Sequence, residues 1–471
     1  MSETIASDRP VMGGTDGFRG EFTEKLGPGQ VNQETFAALA YAGITAEADP
    51  YSSIICVTGR DTRPSSQVLE EAVVAGALHA GARVHRMGVA PTPAVLRATT
   101  GLRASHGVMV SASHNHHGDN GLKITYRGDK PTDDKVRGVS DSYWRLIDNG
   151  LAIPLEANLP RERPGILEVY KSEVVDSIKE KFDRERPLAG KIFVVDAANG
   201  AAMNVAPDIL RHLGAEVEEF ACDGSSYING GCGATDLKGV KNFLWQRPEL
   251  VKDPRFMGAI THDGDADRMI ALGAHFSEDD EMKFEEIDGN RMMWLLAEGQ
   301  PGIVGTVYTN DALVEHLVKQ DVGFEFCPNG DTNVTAKLRE MGWTRGGEFS
   351  GHLVDLNWLS SGDGVRMGAW LATYASTKGT TFAELAKNMP LWPEEMAKVK
   401  FKPGASNPLE HPEVQDTIAA YEQQLKGIGR LIVRTSGTEP VVRVWGVGKE
   451  EPKVTASVNA IADLIKTKTR S

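Results

Sequence analysis

Three stretches of the chain share one hydrophobic and polar pattern: a short apolar run rich in β-branched residues, a turn of small residues, then apolar positions at helical spacing. They are "SIICVTGRDTRPSS" from Ser53, "KIFVVDAANGAAM" from Lys191 and "GIVGTVYTNDALVEHL" from Gly302, the last continuing into Leu313, Val314, Leu317 and Val318. A continuous apolar run of this length fits a strand buried on both faces, and the spacing after the turn fits a helix packed on it. The pattern predicts α/β units, and its recurrence in three separated regions predicts three related α/β domains rather than one large sheet. Pro, Gly and charge collect at "EANLPRERPG" before Ile166, at the acidic "GAHFSEDDEMKFEEIDGN" and at "NMPLWPEEMAKVKFKPGASNP", which mark joins. Beyond the last join come an amphipathic segment, the apolar "LIVRTSGTEPVVRVWG" and the helix-like "PKVTASVNAIADLIKTK", the make-up of a small α+β domain. The expected divisions are therefore 1–164, 165–275, 276–393 and 394–471.

Size and charge narrow the function classes. A chain of 471 residues exceeds what one core supports. Hydrophobic content of 41% and charged content of 25% are ordinary for globular proteins, which sets disorder and fibre aside. The formal charge of −14 argues against non-specific nucleic-acid binding, although a local cluster of Arg and Lys can still govern one cleft. Cys56, Cys222, Cys232 and Cys327 are far apart with no C-x-x-C spacing, so neither a zinc ribbon nor a disulfide scaffold is expected. No basic segment followed by an apolar one opens the sequence and no run reaches membrane-spanning length; the expectation is a cytoplasmic chain with no membrane or nucleic-acid partner.

Four loops carry candidate chemistry. In "DGDADR", Asp263, Asp265 and Asp267 alternate after the apolar "MGAI" and can converge on a hard divalent cation. An EF-hand would need Gly at its sixth position and Glu at its twelfth, where this chain has Arg268 and Ala274. A plain acidic turn would crowd three like charges beside an apolar run with nothing to compensate them. In "RTSGTEPVVRVW", Arg434, Ser436, Gly437, Thr438 and Arg443 supply the hydroxyls, backbone N–H groups and guanidinium groups of an anion-binding nest. A hairpin turn alone would explain the glycine but not the flanking arginines. "GGEFSGH" places Glu348, Ser350 and His352 among glycines, a donor and acceptor set suited to sugar hydroxyls, although a capped Gly-rich turn would read much the same. "GGTDGFRG" places Arg19 in a glycine-rich loop that matches neither the dinucleotide fingerprint nor the P-loop. Beside these, "VMVSASHNHHGDNGLKI" from Val108 follows an apolar run with Ser111, Ser113 and three histidines. On its own it reads as a surface loop; next to a metal and a phosphate site, one of its hydroxyls becomes a candidate phosphoryl carrier. No G-x-S-x-G elbow supports a serine hydrolase.

In sequence order, "GTDGFRG", "GRDTRPSS", "PTPAV", "SASHN…DNGLK", "VVDAANGAA…AP", "DGDADR", "GTVYTN", "GEFSGH", "SSGDGV" and "RTSGTEPVVRVW" resemble the α-D-phosphohexomutase family over nearly the whole length. The nearest resemblance is to members that act on glucosamine phosphate. It implies a heart-shaped molecule of four domains: three related α/β domains with mixed sheets and a C-terminal α+β domain of the TATA-binding-protein-like type. It also implies transfer of phosphate between the 6- and 1-oxygens of a hexose, with Mg²⁺ as cofactor and a hexose 1,6-bisphosphate as activator. Ser113, with His114 beside it, would be the phosphorylated residue and would complete the metal site of Asp263, Asp265 and Asp267. Lys123 and His352 would be base and acid, and Arg19 and Arg268 would stabilise the transferring charge. Glu348 and Ser350 would hold sugar hydroxyls, and Arg434, Ser436, Gly437, Thr438 and Arg443 the phosphate that is not being transferred. Three positions depart from the family pattern: His116 stands where Pro usually follows "SHN", Thr332 where a basic residue usually follows "GD", and Phe349 inside "GEFSGH". Mannose or glucose phosphates are the alternative substrates. A non-catalytic sugar-phosphate sensor would have no need of Ser113, and a metal-dependent phosphatase would release free phosphate.

Overall fold

One strand order recurs in three sheets of the protein, whose computed structural model describes residues 11–13, 17–23, 30–46, 53–155, 158–225, 227–402, 406–435 and 441–470. In the first sheet, Ile55–Arg60 lies between the parallel strands Arg83–Val89 and His106–Val110, and the chain returns antiparallel as Asp119–Tyr126. Phe18–Phe22 and Gln30–Val31 extend this sheet to six strands. In the second, Ile192–Asp196 lies between parallel Glu216–Phe220 and Phe256–His262, followed by antiparallel Met269–Phe276 and Met282–Ile287. In the third, Gly302–Thr306 lies between parallel Gly323–Cys327 and Arg345–Gly347, followed by antiparallel Leu353–Asp355 and Leu359–Gly362. The central strands are the three apolar runs of the sequence pattern, and every residue of Ile192–Asp196 and Gly302–Thr306 is buried. The C-terminal sheet is different: Glu394–Lys400, Val441–Gly448 and Gly429–Thr435 are all antiparallel and pack one face on the helices Pro412–Leu425 and Glu451–Arg470.

The acidic stretch expected at a join, with a division after residue 275, does not separate domains. Met269–Phe276 turns through Glu278, Asp279 and Asp280 and returns as Met282–Ile287, in register from Ala271↔Ile287 to Phe276↔Met282. Met282 is buried against this sheet and Phe276 and Phe284 pack beside it, so the acidic residues form the tip of a hairpin. The chain passes to the third sheet only after Ile287.

What holds the three sheets in fixed relation is a shared core. Met109 of the first sheet, Phe193 and Ile260 of the second and Ile303 and Leu353 of the third belong to one continuous buried cluster. It runs through Tyr170, Val174 and Ile178 of the helix Gly165–Phe182 and Leu371 and Ala372 of the helix Gly364–Lys378. Asp363 caps the latter helix by accepting from Arg366 N–H at 2.9 Å, and also accepts from Tyr170 Oη at 2.8 Å and Trp358 Nε1 at 2.7 Å. A buried carboxylate with three donors costs far less than an unpaired one, and here it joins two elements distant in sequence. Among the described residues, no helix is long and apolar enough to cross a membrane.

Candidate functional site

The repeated strand order puts three turns at equivalent places, each between the last parallel strand and its antiparallel return. In the first sheet the turn spans residues 111–118 and contains Ser113; in the second it spans 263–268 and contains the three aspartates; in the third it spans 348–352 and contains Glu348, Ser350 and His352. Such crevices at the carboxyl ends of parallel strands are where α/β folds bind ligands.

Ser113 sits at the centre. Its hydroxyl donates to Asp263 Oδ2 at 2.7 Å and lies 3.4 Å from His114 Nδ1. The backbone there is left-handed, at φ +55°, a conformation costly for a residue with a Cβ and one that persists where the surroundings over-determine it. Arg63 supplies that constraint. Fully buried, it donates from Nη2 to the carbonyls of Ser113 and Asn115 at 2.9 and 3.0 Å, and from Nη1 to those of His116 and, at 3.0 Å, Asp119. Its Nε is fixed by Asp61 at 2.9 Å, and Asp61 also accepts from Ser111 Oγ at 2.6 Å. Asn229 Nδ2 reaches the Ser113 carbonyl from the second sheet at 2.8 Å. Gly264 completes the join: a Cβ there would lie 2.6 Å from the Ser113 carbonyl oxygen, so only glycine lets the two turns approach this closely.

Asp263, Asp265 and Asp267 are all buried, and one oxygen from each lies within 4.8 Å of the others. Burial and the two neighbouring carboxylates raise Asp263 to about 7. Lys123, projecting from Asp119–Tyr126, compensates part of this charge with Nζ 2.5 Å from Asp265 Oδ2 and 3.1 Å from Asp267 Oδ2. Burial works against its ammonium form, but the two aspartates outweigh it and its pKa is raised. Asp265 Oδ1 is left buried without a hydrogen-bond partner, and Asp267 Oδ1 has only His352 Nδ1 at 3.5 Å and Arg268 Nε at 3.9 Å. Oxygens left over in a buried acidic cluster fit a hard divalent cation.

His352 joins the third turn to the second. Asp331 Oδ2 lies 2.9 Å from its Nε2 and Asp267 Oδ1 on the other side. Burial disfavours the charged ring, yet the two carboxylates raise it to about 10. As an imidazolium it directs Nε2–H to Asp331, so the Gly362 N–H that also lies 2.9 Å from Nε2 is a close contact rather than a hydrogen bond. Asp331 is in turn held well below the usual carboxylate range, because Lys130, at 2.6 Å, and His352 outweigh its burial. His114 is the opposite case: burial, then the nearby Arg268 and Arg19 guanidinium groups, lower it to about 3 and keep the ring neutral. The cleft thus holds two protonated groups, Lys123 and His352, and one neutral imidazole beside the serine.

The remaining expected residues lie around this centre. Arg19 stands on Phe18–Phe22 level with Gly121, and Arg268 donates its backbone N–H to Asp263 Oδ1 at 3.2 Å. Glu348 is buried and accepts from Gly330 N–H at 2.9 Å. Ser350 is half-buried in the same turn, with no side-chain hydrogen bond among the described residues. Arg434 donates from Nε to Tyr308 Oη at 2.6 Å, and Tyr308 stands edge-on to Trp445 and Phe349. Arg443 lies directly across the sheet from Arg434. Ser436, Gly437 and Thr438 lie outside the described residues. Sequence reasoning did not single out Arg63, Asn229, Lys130 or Asp331. For Arg63 there was a signal, since a charged "RDTR" directly after an apolar strand must find partners or stay at the surface; the other three carry none.

Comparison with known proteins agrees with this geometry. The descriptions of the phosphoglucomutase/phosphomannomutase alpha/beta/alpha domain I, alpha/beta/alpha domain III and C-terminal domain match residues 11–145, 288–391 and 396–464. A phosphoglucosamine mutase of Coxiella burnetii is 33% identical over 467 residues, covering 97% of this chain and 98% of the relative. One from Phenylobacterium zucineum is 34% identical over 463 residues, covering 96% and 98%. The crystal structure of a phosphoglucomutase/phosphomannomutase family protein from Burkholderia thailandensis shares the fold, with a TM-score of 0.74 at 21% identity, over 96% of this chain and 97% of that one. The chain belongs to the phosphoglucomutase/phosphomannomutase family, whose members are phosphohexomutases.

Proposed function

We propose that the chain interconverts glucosamine 6-phosphate and glucosamine 1-phosphate through phosphorylated Ser113 and a 1,6-bisphosphate. The observation that carries this reading is the Ser113 hydroxyl 2.7 Å from Asp263, on a strained turn pinned by Arg63. The activity named for the two curated relatives supports the choice of sugar.

In the first half-reaction a sugar hydroxyl attacks the phosphorus of phosphorylated Ser113. The bond from phosphorus to Ser113 Oγ breaks, the bond to the sugar oxygen forms, and a net proton passes from the sugar hydroxyl to Ser113 Oγ. Lys123 and His352 are the proposed base and acid; both are protonated at rest, so the one that gives its proton to Ser113 Oγ as the bond to phosphorus breaks regains it from the attacking sugar hydroxyl. Neutral His114, its Nδ1 3.4 Å from Ser113 Oγ, lies beside the transferring group. Arg19 and Arg268 bring positive charge to the transferring group. Asp263, Asp265 and Asp267 would hold Mg²⁺, with Ser113 completing the set, and the cation would supply charge stabilisation at the phosphoryl oxygens. Glu348 and Ser350 would bind sugar hydroxyls, and Arg434, Ser436, Gly437, Thr438 and Arg443 the second phosphate. After the bisphosphate turns over, its other phosphate returns to Ser113.

The test is ³¹P NMR of the purified protein with Mg²⁺, a trace of hexose 1,6-bisphosphate and, separately, glucosamine, mannose and glucose 6-phosphates. Faster conversion of the glucosamine phosphate, lost in Ser113→Ala, is expected. Preference for mannose or glucose overturns the sugar, accumulation of free phosphate makes the protein a phosphatase, and binding without conversion makes it a sensor.

A further inference from the structure

The C-terminal sheet aligns three cations that no single sequence motif contains. Lys398 of Glu394–Lys400 pairs in register with Arg443, which pairs with Arg434 on its other side. Directly opposed residues of antiparallel strands project from the same face with Cβ atoms about 5 Å apart, and like charges so placed repel. The other face, with Val399, Val442 and Val444, is buried in the domain core, so the cations lie on the face shared with Trp445, toward Tyr308 in the turn after Gly302–Thr306. Among the described residues no carboxylate pairs with Lys398, Arg434 or Arg443. Arg430, on the same face four residue pairs away, shows what pairing looks like here: it meets Asp311 at 2.8 and 2.9 Å. Arg443 Nε is buried with no hydrogen bond, Arg434 has one to Tyr308, and Lys398 is exposed. The pair Arg434↔Arg443 lies one rung from the end of the sheet at Thr435↔Val442.

We propose that Lys398 is a further substrate-binding residue, its ammonium contacting the phosphate that is not being transferred, alongside Arg434 and Arg443. The inference rests on the proposed function for the identity of the substrate. A phosphate dianion placed at the row would remove the mutual repulsion of the cations and meet charge-assisted donors from three strands. Since this phosphate is held in ground state and transition state alike, its contacts act on KM rather than kcat.

Lys398→Met is expected to raise KM for glucosamine 6-phosphate about fivefold, the ratio that goes with an exposed ionic contact of about 1 kcal/mol, with kcat nearly unchanged. Lys398→Arg should restore KM, Lys398→Glu should raise it further, and Lys453→Met on the exposed face of the last helix should leave it alone. A bystander lysine that merely guards an edge strand would leave KM unmoved in every variant, and that result overturns the proposal. Calorimetric titration with inorganic phosphate separates this question from the choice of substrate. If the wild-type protein converts no hexose phosphate but binds phosphate more tightly than Lys398→Met, the functional reading fails and the Lys398 site stands. Equal binding by the two, or none by the wild type, overturns the site.

Discussion

At the junction of the Ser113 and Asp263 turns the charged and polar groups are buried and the fold supplies most of their partners, whereas the row of Lys398, Arg443 and Arg434 has one side-chain hydrogen bond to the rest of the described protein. The contrast follows from solvation. Charge taken out of water must be met by opposite charge or donors, so the first region commits Arg63, Lys123 and Asn229 to the task and becomes rigid. Lys398 is exposed and Arg434 and Arg443 are half-buried, and cations that keep part of their water cost less when no ligand is present and can wait for an anion. Substitution in the first region should therefore strike stability and chemistry together, and in the second binding alone.

The largest effect expected is on turnover. Ser113→Ala removes the hydroxyl proposed to carry the phosphoryl group and should lower mutase activity on the order of 10³-fold or more. Intact-mass measurement of wild-type and variant protein, before and after addition of a hexose 1,6-bisphosphate, checks the same point, because only the wild type should gain a phosphate. Substantial turnover by the variant would move the carrier elsewhere.

On stability, Arg63→Met leaves Asp61 buried without its cation and takes one donor from each of four carbonyls, of which those of Ser113 and Asn115 keep Asn229 Nδ2, and should cost about 3 kcal/mol or more. Arg430→Met, on the same sheet as the row, removes a partly exposed pair with Asp311 and two donors to the carbonyls of Val307 and Thr309, and should cost less, about 1–2 kcal/mol. Urea and thermal unfolding of the two variants compare the regions directly. Losses of equal size would break the distinction drawn between them.

The acidic cluster predicts a pH dependence that a divalent cation should abolish. Asp263 is raised to about 7 in the folded protein, so its ionisation destabilises the fold as pH rises from the unfolded value near 4 through 7. His352, raised to about 10, contributes stability that is full below its unfolded pKa and fades as pH climbs toward 10. The melting temperature in a chelator should therefore fall between pH 5 and 9, and added Mg²⁺ should lift it most at the alkaline end, where the carboxylates are ionised. A melting temperature equally indifferent to pH and Mg²⁺ would remove the metal from the reading.

These two kinds of region were not equally legible in the sequence. Three apolar runs of similar pattern announced three α/β units, and the alternation of Asp263, Asp265 and Asp267 announced a metal-type cluster, because both are local. The division placed after residue 275 failed because acidic residues at a hairpin tip and at a domain join look alike; only the pairing of Met282–Ile287 with Met269–Phe276 tells them apart. Lys130, which follows the last strand of the first sheet, reaches Asp331, which in turn meets His352, and Lys398 meets Arg443 only through strand register. Partnerships of that kind depend on which strands become neighbours, and no spacing along the chain records it.

The smallest effect belongs to the seam between the regions. Tyr308 accepts from Arg434 Nε at 2.6 Å while its ring stands edge-on to Trp445 at 5.4 Å and to Phe349 at 6.1 Å. Phe349, which departs from the family pattern, thus links the turn of Glu348 and His352 to the arginine row, and its carbonyl accepts from Gly289 N–H at 3.0 Å. Tyr308→Phe keeps the ring packing and removes only the acceptor, so stability should change by about 1 kcal/mol or less. Arg434 would then lose its tether but not its charge, and the expected result is a two- to threefold rise in KM for the hexose phosphate at about unchanged kcat. Phe349→Leu, which stays apolar but is smaller and loses the edge-on contact, should give a similar or smaller shift. A large loss of kcat in Tyr308→Phe would instead mean that the seam itself positions the sugar against Ser113, and the separation between a buried catalytic centre and an open binding row would have to be given up.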